Sequence, residues 1–121
     1  MTQPAPTPAP TPQWLPVASA GELAAGIPAA PLVLVLWGGA QCGICQAVKP
    51  KLLQLAQQHW PHVPLYYADC SVAPDACAQY RVFSLPVLRL FVHGKLAHEY
   101  VRAFSVHTVA ADVARLQSLM E

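Results

Sequence analysis

Leu32 to Trp37 is an unbroken apolar run, which predicts a strand covered on both faces. Beyond it, Gln46 to His59 is a helix by its spacing: Ile44, Val48, Leu52, Leu55 and His59 fall along one side, with Gln46, Lys49, Gln54 and Gln57 elsewhere. Trp37 to Gln46 is therefore a strand-to-helix turn. Pro50 lies inside the helix, where it removes the bond to the Gln46 carbonyl and predicts a kink that costs about 3 kcal/mol.

The flanking patterns extend the order in both directions. Trp14 to Val17 reads as a short edge strand, because Pro16 cannot donate to a ladder. Ser19-Ala20-Gly21-Glu22 has the spacing of a capping box and opens a short helix that Gly26 and Pro28 stop. Val63 to Ala68 predicts a strand, Asp69 to Ala73 a loop, and Pro74 the first turn of a short helix to about Tyr80. Val87 to His93 and Leu96 to Phe104 form a hairpin around Gly94. Ser105 caps a last helix with Val106, Val109, Val113, Leu116 and Met120 on one face. The predicted order is β-α-β-α-β-α-β-β-α, an α/β fold.

Composition narrows this further. A chain of 121 residues with 55% hydrophobic content supports one domain with one core. Only 11% of residues are charged and the net charge is +1, which points away from nucleic acid and acidic membrane surfaces. The longest apolar run, Ala29 to Trp37, is about half what a membrane-spanning helix needs. The start, Met1 to Ala5, has neither the basic flank nor the apolar stretch of an export signal, so a cytoplasmic protein is expected. Thr2 to Pro12 alternates Pro with Ala, Thr and Gln, which predicts a disordered arm over residues 1–13 ahead of a domain at 14–121.

The chemistry lies at the turn. Cys42 and Cys45 stand three apart, one sulfur at the helix mouth and the other one turn inside, close enough to bridge. Unpaired N–H groups and the positive end of the helix dipole favour a thiolate there, so Cys42 is placed as nucleophile and Cys45 as the resolving thiol. Cys70 and Cys77 bound a loop between a strand and a helix. In a reducing cytosol two free thiols are expected, with a structural or regulatory disulfide as the alternative. A zinc site using all four cysteines is disfavoured by the Cys-x₆-Cys spacing. His59, His62, His93, His98 and His107 show no ligand spacing, and Trp14, Trp37 and Trp60 read as packing residues. Arg89, on an apolar strand, is expected to bury its stem and keep its guanidinium wet.

From Trp14 to Met120 the chain resembles the thioredoxin family. Pro50 falls five residues after Cys45, where that family's active-site helix has its kinking proline. Leu85-Pro86, the strand Val87 to Phe91 and Gly94 match its cis-proline loop, following strand and hairpin glycine. The resemblance implies a cis Leu85–Pro86 bond facing the cysteines, with the backbone of Leu85 free to pair with an extended substrate segment. It also implies that substrate lies against Gln41, Gly43, Ile44, Leu85, Pro86 and Arg102.

Four departures stand out. Gln41 replaces the family's Trp, and Ile44 its Pro between the cysteines. Leu36 and Leu65 occupy the places of a buried Asp and its Lys partner, so no carboxylate takes the Cys45 proton, a help typically worth about 10²–10⁴-fold. Arg102 replaces a groove glycine; pointing inward it favours acidic partners, and on the solvent side of an edge strand it has no such role.

These readings converge on a monomeric thiol–disulfide oxidoreductase without metal or organic cofactor. Protein disulfides are its substrates, and another thiol protein re-reduces it. The rival is a thioredoxin-fold binding or assembly module with little redox turnover.

Overall fold

The computed structural model describes residues 11–120. Most of the arm expected at residues 1–13 lies outside them, and residues 11–13 have no regular structure.

Five strands and four helices follow one another as β1 (Trp14–Pro16), α1 (Ala20–Gly26), β2 (Leu32–Gly38), α2 (Gly43–His59), β3 (Leu65–Asp69), α3 (Pro74–Ala78), β4 (Val87–Val92), β5 (Lys95–Val101) and α4 (Val106–Met120). A 3₁₀ turn, Ile27–Ala29, carries α1 past the expected stop at Gly26. The strands lie side by side as β1-β3-β2-β4-β5, with β1, β3 and β2 parallel and β4 and β5 antiparallel to their neighbours. The mixed sheet is α/β as the residue pattern predicts.

Every residue of β2 is buried, because the period of two sends its side chains into two cores. Leu34 and Leu36 join Leu65, Leu88 and Leu90 under α2 and α4, while Val33, Val35 and Trp37 join Ala68, Val87 and Phe91 against α1 and α3. The helix ends are fixed locally. Ser19 Oγ accepts from the N–H of Glu22, and the Glu22 carboxylate accepts in return from the N–H of Ala18 at 2.7 Å. Ser105 Oγ accepts from the N–H of His107.

Two expectations are corrected. The buried stripe of α2 is Cys45, Val48, Leu52 and Ala56, so Ile44 and His59 face solvent. Val48 and Leu52 are shared with the expected stripe, while Cys45 and Ala56 take the places given to Ile44 and Leu55. The Arg89 guanidinium is not left to water alone: Nε meets the Glu99 carboxylate at 2.7 Å, Nη1 donates to the Tyr80 carbonyl at 2.8 Å, and the group lies 4.8 Å from the centre of the Trp37 ring. Pro50 lies within α2 as expected, and the Trp14 indole donates to the carbonyl of Lys49 just before it, tying β1 to the helix.

Candidate active site

The site forms where β2 ends and α2 begins. Cys42 takes an extended backbone conformation as N-cap, and its N–H donates to the Gly39 carbonyl at 3.1 Å. Its sulfur accepts from the N–H of Cys45 at 3.2 Å, so one orphan donor of the helix mouth is directed at it. Cys45, in the first turn, is wholly buried. The two sulfurs are bonded, 2.20 Å apart, with Cα atoms 5.2 Å apart.

Gln41, Cys42, Gly43, Ile44 and Leu85 line one groove of about 620 Å³, with Gly39, Ala40, Cys70 and Ser71. The Leu85–Pro86 peptide bond is cis. Pro86 is buried behind this lining, and its carbonyl accepts from the N–H of Arg102 at 2.7 Å. Arg102 is exposed and does not line the groove, and its φ is 65°.

Cys70 and Cys77 are joined, S–S 2.00 Å and Cα–Cα 5.7 Å, which overturns the expectation of free thiols. The turn between them explains the approach. The Asp69 carbonyl accepts from Val72 and Ala73, and its carboxylate accepts from the N–H and hydroxyl of Ser71 at 2.9 and 2.6 Å. The chain thereby folds back, and α3 presents Cys77 to Cys70. The same hydrogen bonds from Ser71 hold the Asp69 carboxyl below its ordinary pKa. Cys70 in turn donates its N–H to the Gly38 carbonyl at 2.9 Å, which places this second disulfide on the groove of the first.

Tyr67 was not foreseen. The register sets it opposite Leu36, with Leu65 opposite Leu34, so Tyr67 is the direct β3 neighbour of the missing carboxylate's position. A Cβ on Gly38 would lie 2.9 Å from the Tyr67 hydroxyl and 3.0 Å from Cys45 Sγ, so these two atoms flank the same point. Lys49 Nζ sits 3.7 Å from the centre of the Tyr67 ring, and Trp14 meets that ring edge-on. Burial, and secondarily the Asp69 charge, raise the phenol pKa. The alternation of Leu65 and Tyr67, together with a glycine at the end of a covered strand, was the signal available in the sequence.

Among the described residues no group of three or more His, Cys, Asp or Glu is arranged to hold a metal ion. None of the described helices is long and apolar enough to cross a membrane.

Known proteins are similar to this chain. A family model described as Thioredoxin matches residues 20–115. Thioredoxin 1 of Chlorobaculum tepidum is 33% identical over 85 residues, covering 70% of this chain and 83% of that protein. Thioredoxin-like 3-2, chloroplastic, of Arabidopsis thaliana is 27% identical over 85 residues, covering 69% of this chain, and the chain spans only 44% of that relative's length. The crystal structure of thioredoxin from Trypanosoma brucei brucei superposes with a TM-score of 0.82 over 93% of this chain and 97% of that one, at 17% identity, a likeness of fold. The matched stretch holds both cysteines of the turn, Pro50 and the Leu85–Pro86 loop, and the chain belongs to the thioredoxin family of disulfide oxidoreductases.

Proposed function

We propose that the chain exchanges its Cys42/Cys45 dithiol with disulfides of other proteins through a mixed-disulfide intermediate. The observation that carries this is the placement of the two sulfurs: Cys42 Sγ half-open at the groove with a helix N–H aimed at it, and Cys45 buried directly behind. In the reductive direction the Cys42 thiolate attacks one sulfur of the substrate disulfide, forming a Cys42–substrate bond and releasing the other substrate sulfur as a thiolate. Cys45 then attacks Cys42 Sγ. The Cys42–Cys45 bond forms, the substrate leaves as a dithiol, and the oxidised pair is the state seen in the structure.

The groove supplies the binding. The β4 ladder begins at Val87, so the backbone of Leu85 is left over to pair with an extended substrate segment beside Gln41, Gly43 and Ile44, with Pro86 buried behind it. Arg102 adds a positive charge and favours acidic segments. A thiol protein of a reducing compartment such as the cytosol returns the pair to the dithiol. The working unit is a monomeric domain at 14–121 with residues 1–13 as its tether.

Reduction of insulin disulfides under dithiothreitol tests this reading. A rate well above the uncatalysed control is expected, and Cys45→Ser should accumulate mixed disulfides through Cys42. A rate equal to the control selects the rival, a binding module, which the apolar Leu36 and Leu65 favour.

A further inference from the structure

The resolving step needs Cys45 as a thiolate, yet its surroundings are dry. Cys45 is fully buried, and Leu36, at the end of β2, offers no carboxylate. Burial in apolar surroundings disfavours a thiolate unless a donor faces it. The group on hand is the Tyr67 hydroxyl: position 38 is glycine, and a Cβ there would lie 2.9 Å from the hydroxyl oxygen and 3.0 Å from Cys45 Sγ, so both atoms border the gap that Gly38 leaves.

We infer that Tyr67 stabilises the Cys45 thiolate by donating its phenolic O–H to it across the gap left by Gly38, a role that rests on the proposed exchange reaction. The phenol acts as a donor and not as a base. Its pKa is raised by burial and by Asp69, so it keeps its proton at neutral pH. The ammonium of Lys49, 3.7 Å from the centre of the Tyr67 ring, polarises the phenol towards donation.

The step balances without any further partner. Cys45–SH loses its proton, its sulfur attacks Cys42 Sγ, the Cys42–substrate bond breaks, and the departing substrate sulfur ends protonated as a thiol. In the reverse direction a substrate thiolate attacks Cys42 Sγ, Cys45 leaves as the thiolate, and the same O–H receives it. The ionisable groups around the pair are Cys42 at the N-cap of α2, Lys49 within α2 and Asp69 from β3; β2 presents Leu36 and Gly38, and β1 presents Trp14, which carry no ionisable group.

The test isolates Cys45. In Cys42→Ala, with Cys70–Cys77 left oxidised, the thiol of Cys45 is titrated by NMR of its Cβ, with and without Tyr67→Phe. Loss of a hydrogen bond to a charged group predicts about tenfold less thiolate at a given pH, an upward shift of about one unit. In the otherwise unaltered pair, Tyr67→Phe should slow decay of a preformed Cys42 mixed disulfide about tenfold and leave the first attack by Cys42 unchanged. Gly38→Ala keeps the phenol but wedges a methyl between oxygen and sulfur, and should shift the same titration the same way. A titration that moves in neither variant overturns the role of Tyr67. Absence of insulin reduction by the wild-type protein instead overturns the exchange reaction and leaves the Cys45 titration to be read on its own.

Discussion

The backbone N–H of Arg102 donates to the carbonyl of Pro86 at 2.7 Å, and Arg102 makes that bond from the left-handed region, at φ 65°. The bond fixes the end of β5 against the loop beside Cys42. It also forces a conformation that costs a residue with a Cβ roughly 1–2 kcal/mol and costs glycine almost nothing. Because the Arg102 side chain is exposed, little packing opposes that cost.

Arg102→Gly should therefore raise stability by about 1 kcal/mol, read as a higher urea midpoint at unchanged slope. The same variant removes the positive charge. KM for a disulfide flanked by acidic residues should rise several-fold with kcat unchanged, and KM for a neutral one should stay put. An equal change for both substrates would place the Arg102 charge outside recognition.

The Cys70–Cys77 bond closes a short loop, sequence separation 7, and on the chain-entropy model it stabilises the domain by about 2.5 kcal/mol. The double variant Cys70→Ser/Cys77→Ser should lose about that much in denaturant unfolding. Reduction of the Cys42→Ala/Cys45→Ala variant, which keeps this bond alone, should lower its midpoint by the same amount. Because Cys70 also donates its N–H to Gly38 and lines the groove, the variant should weaken substrate binding as well. Unchanged KM would confine the bond to a purely mechanical role.

The Asp69 carboxyl is held below its ordinary pKa by the hydroxyl and N–H of Ser71. A depressed folded pKa contributes stability above the unfolded value of about 3.9 and loses it as pH falls through the lower folded value. The thermal midpoint of the wild-type protein should fall between about pH 4 and that value more steeply than the midpoint of Asp69→Asn. Parallel curves would show that other carboxylates govern the acid transition.

Much of this molecule is legible in local pattern. Leu32 to Trp37 reads as a doubly covered strand, and the helix after Cys42 reads from its spacing, because both periods are properties of a single segment. What the segment does not carry is register. Arg89 finds Glu99 because the β4–β5 ladder sets them opposite, and Tyr67 faces Leu36 because of the β2–β3 ladder. Ile44 and Cys45 both lie at helical spacing from Val48, and which of them is buried depends on the face that α2 turns to the sheet. The Cys70–Cys77 bond depends on how tightly Asp69 turns the chain, which spacing alone leaves open.

Arg89 offers the sharpest separation of a buried hydrogen bond from an ion pair. Its side chain is 13% exposed and satisfies three partners: the Tyr80 carbonyl, the Glu99 carboxylate and the face of Trp37. Glu99 is 40% exposed and can turn to water, so the ion pair should be worth at most about 1 kcal/mol. The bond to the Tyr80 carbonyl is part-buried, and that carbonyl should cost about 1–3 kcal/mol when left unpaired. Arg89→Leu is thus expected to lower stability by about 2 kcal/mol and Glu99→Gln by less than half of that. Urea unfolding of both single variants and the double variant measures the coupling directly. A Glu99→Gln loss as large as that of Arg89→Leu would make the ion pair, and not the carbonyl bond, the interaction that matters here.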